Sequence, residues 1–214
     1  MKTPKIKFRK DVLEEIQAIK SKLKTKELIK QDIKSSIQFA EEITAKGLDA
    51  LEHVFDTDSE EEILNRWNAL KFGSLYFGES CKIRHIKKIK RRIKLIHRRL
   101  SKRKLTIRVR PQHKAPTKTT AGQNLGSIFS PKSFRLFPRY FKLSKLRKAG
   151  VIIHELFHDQ TIDHKVELNN KKSVRAYGAY LTRRLAKKNA RRARKNPDNY
   201  TEFCKAIWRK SQVV

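Results

Sequence analysis

The chain has 214 residues and carries 53 Lys and Arg against 21 Asp and Glu, a formal net charge of +32. That length buries one good core with room for an accessory helical region, and its apolar residues recur in spaced stripes, which excludes a disordered chain. The charge draws polyanions such as nucleic acid, anionic membrane or acidic protein tracts, but it says little about chemistry, because a charge run is ordinarily a solvated face.

Met1 to Lys10 is basic, yet no apolar run of signal-peptide length follows it. Nor does any stretch approach the roughly 18 uninterrupted apolar residues of a membrane span. The chain therefore reads as soluble, and its export would need a dedicated or non-classical route. Next, Val12, Ile16, Ile19 and Leu23, then Ile29, Ile33 and Ile37, then Ile43, Leu48, Leu51 and Val54 recur at helical spacing. These predict two or three amphipathic helices with Lys and Glu on their outer faces. The acidic run from Asp56 to Glu62 marks a helix start, capped by Asp58 or Ser59, whose glutamates complement the helix dipole.

From Cys81 to Leu100, Ile83, Ile86, Ile89, Ile93, Ile96 and Leu100 step by three or four, with Lys, Arg and His between them. A continuous apolar stripe means burial, so this is a core-facing helix with a cationic outer face rather than one lying on a membrane or nucleic acid. Leu105, Ile107 and Val109 alternate with polar residues as a half-buried strand that Pro111 ends, and residues 111 to 126 read as a loop. Ser127 to Phe129 and Phe134 to Phe137 read as short strands. Helices are predicted from Ser144 through His158, from Gly178 to Lys195 and from Tyr200 to Lys210. The expected class is α+β, mostly α, with a small sheet ahead of one central helix. Cys81 and Cys204 make no disulfide framework and read as two unrelated buried thiols.

Chemistry enters at His154-Glu155-Leu156-Phe157-His158, a His-Glu-x-x-His pattern. Residues four apart on a helix share a face, so both imidazoles can point at one zinc ion. Glu155, beside the first histidine, is placed to act as general base on a zinc-bound water whose pKa falls to about 7. Val151, Ile152, Ile153, Leu156 and Phe157 make this helix largely buried, and buried histidines need a compensating partner such as a metal. A catalytic zinc takes a third protein ligand, and Asp159, Asp163, His164 and Glu167 follow; spacing alone does not choose among them.

Over residues 62 to 210 the sequence resembles the aspzincin metallopeptidases, the deuterolysin and peptidyl-Lys metalloendopeptidase group. The carriers are the zinc helix, Gln160-Thr161-Ile162-Asp163, Ala176-Tyr177-Gly178 and the run from Asn196 to Phe203, with weaker landmarks at Arg66-Trp67-Asn68, Phe77-Gly78 and Phe137 to Phe141. The resemblance implies a zincin-like catalytic domain over residues 61–214, Asp163 as third ligand, and Tyr177 as support for the oxyanion of the tetrahedral intermediate. It also implies Asp198 as a receiver of a substrate lysine. Two departures stand out: Gln160 replaces the family's Gly, and Val166 to Arg175 intervenes like an insertion between Asp163 and the Tyr-Gly step. The third ligand is expected to be Asp163, with His164 or Glu167 as substitutes in a remodelled site.

Residues 1–60 form a basic helical region, accessory or pro-like. The expected function is a zinc metalloendopeptidase acting on protein or peptide substrates, with the charge serving targeting in a secreted effector or toxin. The contrasting reading is a non-enzymatic, strongly basic binder of nucleic acid or membrane with a vestigial metal site.

Overall fold

Short stretches of alternating residues build a sheet, and longer apolar stripes build the helices that surround it. The computed structural model describes residues 3–9, 11–102, 105–125, 133–169 and 172–213. The chain divides into two compact units, residues 1–42 with 98–159 and residues 43–97 with 160–214. Their boundaries fall inside helices α2 (Lys26–Val54) and α5 (Ile83–Ser101), and after Asp159.

The first unit holds strands β1 (Lys5–Phe8), β2 (Thr106–Val109), β3 (Gly122–Asn124) and β4 (Ser133–Leu136) in the order β1-β2-β4-β3. β1, β2 and β4 run parallel, with Ile6 beside Ile107 and Ile107 beside Phe134, while β3 lies antiparallel to β4 at the edge. Ile107, Val109, Phe134 and Leu136 are buried, as the period of two requires when one face meets a core. Helices α1 (Val12–Ile19), α6 (Pro138–Phe141) and α7 (Lys145–Phe157) complete the unit. Ser144 stands at the start of α7 without a capping bond from its side chain. Packing holds this helix: Ile152, Ile153, Leu156 and Phe157 are buried, each contributing roughly 1.5–3 kcal/mol against about 1 kcal/mol for a cap. Buried Lys148 on the same helix is matched by both carboxylate oxygens of Asp32 at 2.7 and 2.6 Å.

The second unit contains α3 (Glu60–Ala69), α4 (Phe72–Phe77), the hairpin β5 (Lys165–Glu167) and β6 (Ser173–Arg175), α8 (Gly178–Lys188), α9 (Ala190–Ala193) and α10 (Pro197–Lys210). Ser59 caps α3, its hydroxyl accepting from the Glu62 amide at 3.3 Å. An aromatic cluster forms the centre, with Phe77 4.9 Å from Tyr200 and 5.4 Å from Phe203 between ring centroids. Trp67 borders it, and Gly73 gives the indole its room, since a Cβ there would lie 2.6 Å from the ring. Ile86, Ile89, Ile93 and Ile96 of α5 are buried as the stripe predicts, and Cys81 and Cys204 are buried free thiols.

Several expectations need correction. The N-terminal region opens with a strand, β1, because Lys5–Phe8 finds a parallel partner in β2. Residues 111 to 126 are not all loop: β3 lies within them, made a strand by pairing with β4 and not by any apolar alternation of Gly122-Gln123-Asn124. The helix expected over 178 to 195 is two, because Asn189 leaves helical geometry and its side chain caps α9 through the Arg192 amide at 2.9 Å. The strand expected at Ser127 to Phe129 lies outside the described residues. No helix among the described residues is long and apolar enough to cross a membrane.

Candidate active site

On α7 the four-residue spacing brings the imidazoles of His154 and His158 together, Nε2 to Nε2 at 3.0 Å with rings inclined at 81°. A tetrahedral zinc at its usual bond length separates two such nitrogens by about 3.3 Å, so the pair converges as a shared ion requires. Glu155 is buried at 6% exposure. Strand β3 lies against it: a Cβ on Gly122 would come 3.0 Å from Glu155 Oε1 and 2.7 Å from Val151 Cγ1. Only glycine permits that approach.

The end of α7 is anchored separately. Asn124 Nδ2 donates to the Glu155 carbonyl and, at 3.3 Å, to Asp159 Oδ1. Arg99 pairs with the other oxygen of Asp159 in a largely buried ion pair. Burial pushes the Asp159 carboxyl above its ordinary pKa, while Arg99 pulls the other way. Asp159 thus serves as an anchor for the helix end.

In the second unit, the stretch that interrupts the family pattern folds as the hairpin β5–β6. Lys165 pairs with Arg175, Val166 with Val174 and Glu167 with Ser173. The ladder continues one step outward, where the Ala176 amide donates to the His164 carbonyl at 2.8 Å. One step further lie Asp163 and Tyr177, and the phenol donates to Asp163 Oδ2 at 2.7 Å. Arg175 Nη1 reaches Tyr177 Oη at 3.2 Å and Asp163 Oδ2 at 3.5 Å. Burial, and then the bond given to Asp163, raise the Tyr177 hydroxyl well above the usual phenol range, so it is a donor across the physiological range.

The run from Asn196 to Tyr200 holds this arrangement in place. Asn196 Oδ1 accepts from the His164 amide at 2.9 Å, and its Nδ2 donates to the Ala176 carbonyl at 3.1 Å and to Asn199 Oδ1 at 2.8 Å. It therefore ties both arms of the hairpin base. Asp198 Oδ2 accepts from the Gly178 amide at 2.5 Å, immediately after Tyr177. Gly178 has φ of +73 with nothing near its absent Cβ, so backbone conformation and not space calls for glycine in the Tyr-Gly step. His164 Nε2 is buried without a hydrogen-bond partner among the described residues, and burial lowers its pKa. Glu167 sits two ladder steps beyond Lys165 with its side chain exposed. Sequence reasoning had not singled out Asn124, Arg99, Gly122, Arg175 or a structural role for Asn196.

No protein-family model matches the chain, and no curated protein matches it in sequence. Its fold has a solved counterpart, a zinc peptidase from Grifola frondosa, with a TM-score of 0.60 at 15% identity. The superposition covers 81% of this chain and 92% of that one. The fold is α+β and mostly α, as expected, and is shared with that structure.

Proposed function

We propose that the chain is a zinc-dependent metalloendopeptidase of the aspzincin type, with His154, His158 and Asp163 as its ligands. The observation that carries this reading is the hairpin ladder, which turns an apparent insertion into a device that places Asp163 beside Tyr177. The donor set fits zinc: two imidazoles and one carboxylate among the residues able to hold a metal ion. His164 and Glu167 do not share the Tyr177 bond, and Asp163 is the ligand we assign.

Held by these residues, zinc would supply Lewis acidity. Glu155 takes a proton from the attacking water and returns it to the departing amine, its burial holding the carboxylate in place. Tyr177 donates to the substrate carbonyl oxygen as that atom gains negative charge, turning from Asp163 while Arg175 keeps the carboxylate company. β3 is an edge strand beside Glu155, so an extended peptide can add its backbone to Gly122–Asn124 and lay a peptide bond at the base. We read Asp198 as positioning Tyr177 through the Gly178 amide, ahead of any contact with a substrate lysine. Asp32 of α2 then braces the zinc helix through Lys148. We extend the reading to a secreted effector or toxin whose cationic surface serves targeting.

The test combines zinc analysis with peptidase assay on the full chain. Wild type should bind near-stoichiometric zinc, Asp163→Ala should lose it, and Glu155→Gln should keep zinc without activity. Full zinc in Asp163→Ala would move the third ligand to His164 or Glu167. A wild type that takes up no supplied zinc would end the peptidase reading.

A further inference from the structure

The second unit holds a constellation that peptide hydrolysis does not use. Along α5, Arg84, Lys88 and Arg92 recur every four residues and so share one face. Opposite them, Arg191, Arg194 and Lys195 come from α9 and the turn before α10. Together they line an open pocket of about 350 Å³, with Ile89 and Tyr200 beneath and no carboxylate in the lining. Like charges spaced four apart on a helix destabilise it, and here one such row shares a pocket with three further cations.

Among the described residues no carboxylate offsets that charge. Arg92, 8% exposed, gives Nη1 to the Arg194 carbonyl at 2.7 Å and to Tyr200 Oη at 2.8 Å, and Nη2 to the Gln160 carbonyl at 2.8 Å. Arg194 donates to the Phe77 carbonyl at 3.2 Å. These neutral acceptors orient the guanidinium groups without neutralising them. Among the described residues none of the six cations forms an ion pair. Arg84, Lys88, Arg191 and Lys195 are exposed around the buried Arg92. The neighbouring charges leave their mark, since Arg92 foremost, with burial, lowers the Lys88 pKa.

We propose that this pocket binds a small polyphosphorylated anion, a ring of sugar size bearing clustered phosphate monoesters, free or as a lipid headgroup. Its volume lies at the lower end of small-ligand sites. Guanidinium forks meet phosphate oxygens in paired, charge-assisted bonds, which suits the arginine content of the lining. A single nucleic-acid strand would instead call for an extended cationic track with stacking faces, whereas these six side chains converge on one concavity.

The probe is myo-inositol hexakisphosphate, titrated calorimetrically into the full chain at about 0.15 M salt, where long-range attraction is screened. The expected result is saturable one-to-one binding that Lys88→Glu and Arg191→Glu each weaken about tenfold or more, while the exposed Lys34→Glu control in the other unit stays within about twofold. Lipid vesicles containing a few per cent of phosphatidylinositol bisphosphate identify the source. Co-sedimentation lost in the same two variants supports a headgroup, and binding of the free probe alone supports a soluble anion. Absence of saturable binding, an equal loss in Lys34→Glu, or tighter binding of a single-stranded oligonucleotide that excludes the probe would overturn the proposal.

Discussion

His154 on α7 with His158 at its C-cap, and Asp163 with Tyr177 at the base of the β5–β6 hairpin, are positioned by different physics. On α7 the helical repeat stacks two side chains four residues apart, and the imidazoles meet as long as the helix exists. Buried Ile152, Ile153, Leu156 and Phe157, together with the Arg99–Asp159 anchor, then fix the helix. At the hairpin, 14 positions separate the carboxylate from the phenol, and their bond follows from strand register and from Asn196 clamping both arms. A helical pair is robust because its geometry is local. A laddered pair is conditional, since one step of slip turns every side chain to the opposite face.

The largest expected effect lies on the helix. Glu155→Gln should lower kcat by about 10²–10⁴ while zinc content, read by elemental analysis, stays at the wild-type value. Tyr177→Phe on the hairpin should follow, with a loss of about 10²–10³ in kcat and folding intact by circular dichroism. Register is tested by deleting Ser173 alone, which shifts β6 by one residue and should weaken zinc binding by about 10–100-fold in a chelator competition. Asn196→Ala strands the His164 amide and the Ala176 carbonyl, and chemical denaturation should show a loss of roughly 1–3 kcal/mol. Smallest of all is the paired deletion of Glu167 and Ser173, which removes one ladder rung and keeps register. Zinc affinity should then change by less than about twofold. If the single and paired deletions behave alike, the contrast between helix and hairpin collapses.

The same contrast explains what was legible beforehand. Stripes such as Ile86, Ile89, Ile93 and Ile96, and the motif inside a buried apolar run, announce themselves because helical periodicity is written in neighbouring residues. The capping hydroxyl of Ser59 follows from the acids after it. β1, β3, β5 and β6 are three or four residues long, and Gly122-Gln123-Asn124 shows no alternation, so their partners alone make them strands. Asn196 reads from sequence as part of a resemblance; its three-way role in joining His164, Ala176 and Asn199 exists only once distant segments meet. Gly122 beside Glu155 gives no sequence signal at all beyond being a glycine.

The hairpin base has a consequence for how this chain can vary. Because Asp163 and Tyr177 sit at the open end of the ladder and the Leu168 amide still meets the Lys172 carbonyl at the other, at 2.8 Å, rungs can be gained or lost in the far half without moving the near one. Contour length between the two groups is thereby uncoupled from their separation in space. A lineage can lengthen or trim this arm in matched pairs and present new side chains at its tip. Only an odd change of length, which alters parity, would be selected against at the base.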